Sequence, residues 1–204
     1  MFDKTKMFNL ALAALSLQKR ISNADTDTST EALTLNVYWD IAFETALKEM
    51  DLDSTSTSKA LELIETNPNT YWRFAYSYPS DCIFLRRIKS TQLTDDAESK
   101  IDLRVEVYEG VKAIMTDQNA AEIEYISKDI PLSILTPEAA YFIALRLAKL
   151  AIPLVAGTNK KDVQASLDEA YTMALLNAQR VDSMESSIYQ PEYAKSGLVK
   201  ARLS

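Results

Sequence analysis

Few residues in this chain have types and spacing suited to catalysis. Ser56-Thr57-Ser58-Lys59 has the S-x-x-K spacing of a Ser–Lys nucleophile pair, in which an amine takes the hydroxyl proton. Nothing else of that set accompanies it, and a polar loop capping the following helix is the preferred reading. Glu122 and Glu124 stand two apart, which on a strand puts both carboxylates on one face, as a glycosidase or metal site requires. Their alternation with Ile123 and Tyr125 is equally that of any half-exposed strand, so solvated charges are preferred. Asp95-Asp96 reads as a solvated turn in a polar linker. Arg86-Arg87 beside Lys89 could touch phosphate, but in so acidic a chain the doublet reads as an edge or ion-pair feature. Tyr71, Trp72, Phe74, Tyr76 and Tyr78 could stack on bases or sugars. Only Arg73 interleaves with them, which favours core and subunit-interface packing.

Whole classes of enzyme fall away on composition. The 204 residues include no histidine, which removes Ser–His and Cys–His catalysis, most zinc sites and the commonest general base. The three glycines, Gly110, Gly157 and Gly197, are too few and too scattered for a phosphate-cradling loop. Cys82 is the single cysteine, so no intrachain disulfide can form, and its neighbours Ile83 and Phe84 suggest a buried strand thiol. No catalytic, cofactor or metal site is expected.

The net charge of −7 argues against a surface that grips DNA or RNA, since phosphate binding is driven by Lys and Arg releasing counterions. It does not argue against proximity to DNA; an acidic conduit would keep DNA from sticking. The longest apolar run, Ala139 to Ala156, is interrupted by Arg146, Lys149 and Pro153, so no bilayer span is expected. With no signal-peptide pattern, the expectation is a soluble protein made in the cytosol.

Periodicity places helices at about 7–21, 31–50, 59–65, 137–155 and 159–185. In the first, Phe8, Leu12 and Leu15 share a face. Ser29 or Thr30 caps the second, whose stripe from Leu35 through Trp39, Phe43 and Leu47 to Met50, widened by Tyr38 and Ile41, needs cover on more than one side. Asn67-Pro68 stops the short third. Thr136-Pro137-Glu138 opens the fourth, and Asn159 caps the fifth. Between them, β-like runs span 82–88, 102–108, 111–116 and 121–126, with Glu109-Gly110 as a tight hairpin turn. In the second run Leu103, Val105 and Val107 alternate with Asp102, Arg104 and Glu106, which predicts one buried and one wet face. Beyond Ser187 the tail IYQPEYAKSGLVKARLS carries Lys195, Lys200 and Arg202 against Glu192 alone, and reads as a basic docking arm.

The segment YWRFAYSYPSDCIFLRRI, residues 71–88, resembles the tail tubular protein A or head–tail adaptor family of podoviruses. The resemblance extends to the first helix in NLALAALSLQKRI, residues 9–21, and to Trp39-Asp40. It includes Trp72, Ala75, Tyr76, Tyr78, Pro79, Asp81 and Cys82, then Leu145 to Ala151 with Ala170 to Ala178. It covers nearly the whole chain, and its matching parts are structural. What it implies is a twelve-fold ring under the portal that passes DNA and presents a platform for the tail nozzle protein, with the C-terminal segment reaching the portal.

Together these readings give a fold expectation of α+β: a helical bundle of about four main helices with a small antiparallel sheet lobe at 82–126. Residues 1–186 form one composite domain and 187–204 a docking arm. The functional expectation is a non-enzymatic structural virion protein of the tail or neck, a homo-oligomer, dodecameric in that family's pattern, binding portal and nozzle. DNA would cross its lumen, unbound, in packaging retention and ejection. Portal contact falls to Tyr189, Tyr193, Lys195, Leu198, Lys200 and Arg202. Closed rings use head-to-tail contacts between two different patches, for which Tyr38, Trp39, Tyr71, Trp72 and Tyr76 are candidates. The alternative is a soluble helical interaction module or regulator with no ring.

Overall fold

The computed structural model of the chain describes residues 2–89, 101–154 and 160–187. They divide into two compact units: residues up to Ser54 together with those from Leu132 onward, and Thr55–Pro131.

The first unit holds four helices, α1 (Lys4–Ala14), α2 (Thr30–Met50), α3 (Pro137–Leu150) and α4 (Lys160–Ser187). The side chain of Asp3 caps α1 by accepting from the Lys6 amide. The helix stops well short of residue 21. Ser16 adopts a left-handed φ of 57°, its amide donates to Ala13, and the Leu17 amide donates to Leu12, which is the paired hydrogen-bond pattern of a Schellman cap. The chain then turns back. Asn9 donates to the Ile21 carbonyl and accepts from its amide, both at 2.9 Å, and this buries Ile21 outside any helix.

Helices α2 and α3 begin where their caps predict. Ser29 accepts from the Ala32 amide, Thr136 from that of Ala139, and Pro137 occupies the first turn. A short 3-10 turn, Ile152–Leu154, follows α3. Asn159 lies outside the described residues.

The four helices do not form a bundle. Eight of the 14 residues of α3 are buried, on every side of the helix, and such a helix must be surrounded. It packs against each of the other three, while α2 and α4 meet only marginally. Contact between α1 and α2 includes Phe8 set edge-on to Trp39, with centroids 5.7 Å apart. A bundle requires each helix to share a core with two neighbours. Here α3 alone packs on all three of the others and α1 has only 11 residues, so the arrangement is a hub with three spokes.

Polar ties reinforce the hub. Arg146 of α3 donates to Thr45 of α2 at 3.2 Å and to the Tyr171 hydroxyl of α4 at 3.3 Å, and Tyr171 in turn donates to Glu49. Asp182 of α4 is buried and accepts from the amides of Asp53 and Ser54 at 2.8 and 3.0 Å. No helix among the described residues is long and apolar enough to cross a membrane.

The second unit is larger in strand than a small lobe at 82–126. Its described residues hold seven strands in two antiparallel sheets. One has the order β1 (Ser56–Ala60), β7 (Glu122–Ser127), β4 (Cys82–Lys89). The other has the order β2 (Leu63–Thr66), β3 (Phe74–Ser77), β6 (Val111–Thr116), β5 (Leu103–Tyr108). Both sheets contribute to one core of Tyr76, Ile88, Ile114, Ala121, Ile123 and Tyr125.

The helix expected at 59–65 is absent, and β1 and β2 occupy its place. Ser56 to Ala60 pairs in register with Ile126 to Glu122, and the Leu61 amide extends that ladder to Ala121. Cross-strand partners far along the chain supply the ladder that overrides a weak local preference. Asn67, at φ 55°, turns β2 into β3 instead of ending a helix. The Glu109-Gly110 turn does form the hairpin of β5 and β6, with both residues at positive φ as a type I′ turn demands. The alternation in β5 buries less than predicted. Leu103 packs against the core, but Val105 and Val107 are 39% and 75% exposed, because β5 is an edge strand.

Candidate interaction surfaces

Strand geometry separates the residues that could have formed a nucleophile pair. On β1, Ser56 and Lys59 are an odd number of positions apart, so their side chains leave opposite faces. The hydroxyl of the intervening Ser58 accepts from Lys89 at 3.1 Å. The run is a strand and caps no helix.

Glu124 is an anchored carboxylate. Arg87 and Lys89 approach it at 3.0 Å and Arg86 at 3.5 Å, with the side chains of Arg86 and Glu124 both nearly covered. Burial pushes its carboxyl up, but hydrogen bonds from Lys89 and Arg87 and their charges outweigh this and hold it below the ordinary range. A general acid needs the opposite shift. Glu122 sits two positions along the same strand, opposite Ala60 and Lys89. The Arg86-Arg87 doublet is thereby engaged in an ion-pair cluster, on the edge strand β4.

The Tyr-Pro-x-Asp-Cys run builds a second polar knot at the start of β4. Asp81 accepts from the hydroxyls of Ser127 at 2.7 Å and Tyr125 at 2.9 Å, while the Asp81 carbonyl accepts from the Lys128 amide. Burial raises the Asp81 carboxyl, and the two hydroxyl hydrogen bonds bring it below its usual range. The Tyr125 hydroxyl is pushed up to about 12, first by burial and then by its bond to Asp81. Cys82 donates to the Tyr78 hydroxyl at 3.1 Å, and burial pushes its thiol up, away from thiolate reactivity. Lys112 lies 3.5 Å above the Tyr78 ring. This knot ties β3, β4, β6 and β7 together. Asp81 was not singled out for such a role by spacing; the partners come from a strand more than forty residues away. Among the described residues no group of three or more Asp, Glu or Cys side chains could hold a metal ion.

The aromatic run divides between interior and surface. Tyr76 is buried in the sheet unit's core and donates to the Gln118 carbonyl, which leaves nothing for a neighbouring subunit to touch. Phe74 and Tyr78 pack against the same core, and Trp72 against Ala75, Ala113 and Met115. Only Tyr71, 85% exposed, stands clear. In the helical unit Trp39 stacks on Phe43, and both Trp39 and Tyr38 are half-buried.

The exposed apolar surface of the helical unit is ordered. On α2, Leu33, Val37 and Ile41 recur every four residues and stand 55%, 72% and 57% exposed, a continuous ridge opposite the buried face of Leu35, Ala42, Ala46 and Met50. Asp40 and Glu44 flank it. On α4, Met173, Leu176 and Met184 are likewise exposed. Along α1 runs an open groove of about 630 Å³, with Phe2, Leu10, Ala13 and Leu17 as its apolar lining and Lys6, Lys19 and Arg20 as its charge. The sequence hinted at the ridge, since Ile41 widened the α2 stripe beyond what one neighbour covers. The groove had no signal, because it depends on the chain folding back after Ser16.

The six portal-contact candidates, Tyr189 to Arg202, and the Asp95-Asp96 turn lie outside the described residues. Comparison with protein-family models finds no match, and comparison with curated proteins finds none either.

Proposed function

We propose that this chain is a structural virion protein, a head–tail adaptor subunit. Many copies would form a ring, dodecameric in the pattern of the family it resembles, between the portal and the tail nozzle. DNA would pass through the lumen during retention and ejection without being bound. The protein would be made in the host bacterial cytoplasm and end in the neck of the virion.

The observation that carries this reading is the pair of unlike faces on the helical unit: an apolar ridge with acidic flanks on α2 and an apolar groove with basic lining on α1. A closed ring needs two different complementary patches per subunit, whereas a two-fold dimer needs one. The resemblance of residues 71–88 supports the same reading. The polar knots at Asp81 and Glu124 are compatible with it, since both join strands of the sheet unit to one another.

Electron microscopy of negatively stained protein, alone and mixed with portal rings from the same genome, tests the proposal. Rings, or added density on the portal that disappears when residues 188–204 are deleted, are the expected result. Small monodisperse particles in both samples would replace the ring with a soluble interaction module.

A further inference from the structure

We infer that the groove on α1 is filled by the α2 ridge of a second copy of this chain, in a head-to-tail contact. The inference rests on the ring reading above and names the surfaces that close it.

The two faces match in chemistry. The groove presents Leu10, Ala13 and Leu17 with Lys6 and Arg20 beside them, and the ridge presents Leu33, Val37 and Ile41 with Asp40 and Glu44 beside them. Apolar surface meets apolar surface, and a basic margin meets an acidic one, which sets register and suppresses wrong pairings. They also match in length. From Leu33 to Ile41 the ridge runs about 12 Å along its helix, and from Lys6 to Ala13 the groove runs about 10 Å. An amphipathic helix laid in such a groove, anchored every four residues, is a recurrent recognition mode.

Other occupants fit less well. The C-terminal segment carries Lys195, Lys200 and Arg202 against one Glu192, the same sign as the groove. The α4 face carries Arg180 as well as Glu169, so its charge is mixed where the margin of the α2 ridge is acidic at both Asp40 and Glu44. Lys6 and Arg20, which line the groove, are the cations to test.

Mass photometry and sedimentation velocity over a concentration series would read the contact. One variant reverses the groove (Lys6→Glu with Arg20→Glu) and another the ridge (Asp40→Lys with Glu44→Lys). Each should weaken self-association by roughly tenfold or more, as should Val37→Asp. Lys6, Arg20, Val37 and Asp40 are exposed and Glu44 is half-buried, and thermal melts by circular dichroism would show that the variants fold. Mixing the two charge-reversed proteins should restore assembly, because every contact between unlike copies then joins opposite charges. Assembly indifferent to these changes, failure of the mixture to recover, or a chain that stays monomeric throughout would overturn the contact. Portal-bound rings that ignore the variants would sink this contact and leave the ring reading standing. Variant-sensitive association in a protein that never binds portal would do the reverse.

Discussion

The helical unit and the sheet unit differ in where order appears among their surplus residues: along helix faces in one, in clusters of charge between strands in the other. On two helices of the helical unit exposed apolar side chains fall in line, Leu33, Val37 and Ile41 along α2 and Met173, Leu176 and Met184 along α4. In the sheet unit the residues with chemical potential turn inward on each other. Glu124 gathers Arg86, Arg87 and Lys89, and Asp81 gathers Ser127 and Tyr125. A helix returns to the same face every three or four residues, so apolar residues beyond those its neighbours cover form a continuous docking stripe. A paired strand brings distant charges within hydrogen-bond reach, so it can neutralise them locally. The first arrangement is suited to meeting another protein, the second to holding strands together.

The largest expected effect breaks the helical unit at its hub. Phe142→Ala removes a fully buried ring of α3 that packs on Tyr171 at 4.6 Å, and should cost about 3–5 kcal/mol in urea unfolding. A loss under about 1 kcal/mol would show that α3 is not the centre of its core. In the sheet unit, Glu124→Ala leaves three cations around an empty position and should cost about 2–3 kcal/mol. If stability were unchanged, the cluster would be a solvated surface group and the contrast between the units would weaken.

Acid should act on the sheet unit's two knots. The folded carboxyls of Asp81 and Glu124 both lie below their ordinary values of 3.8 and 4.5. Their stabilisation is therefore complete above about pH 5 and is lost as pH falls through the folded values. Melting temperature should decline steeply below pH 4, and Asp81→Asn should flatten that decline. An unchanged acid profile in Asp81→Asn would remove Asp81 from the account.

Val37→Asp sharpens the comparison from the other side. Its side chain is 72% exposed, so unfolding free energy should change by less than about 0.5 kcal/mol while self-association falls. A large stability loss would mean the ridge belongs to the fold. A small effect of the opposite sign concerns the cap that shapes the groove. Ser16 holds a left-handed conformation that glycine adopts without strain, so Ser16→Gly should stabilise the chain by about 0.5–1 kcal/mol in the same unfolding assay.

Local signals carried far where the physics is local. Ser29 and Thr136 mark their helix starts because a cap acts within one turn, and Glu109-Gly110 marks its hairpin because positive φ belongs to the two turn residues themselves. The long apolar periodicity of residues 30–50 and 137–150 likewise marks a helix, because the stripe recurs within the segment itself. Asp81 and Cys82, adjacent in the chain, find their partners on Tyr125, Ser127 and Tyr78, only the last of which is local.

An acidic α+β chain without histidine, its three longer helices, its hairpin and the surplus of apolar residues on α2 were all legible from residue order. Tertiary structure alone decided the rest. Residues 56–66 became two strands because Ile123, Tyr125 and Tyr76 supply partners from elsewhere in the chain. Tyr76 went to a core and Tyr71 to the surface because of the strand that begins at Phe74. Glu124 became an anchored anion because β4 lies beside β7. The groove on α1 exists because Asn9 recaptures the chain at Ile21. Each outcome depends on groups distant in sequence and near in space, and no local propensity encodes that.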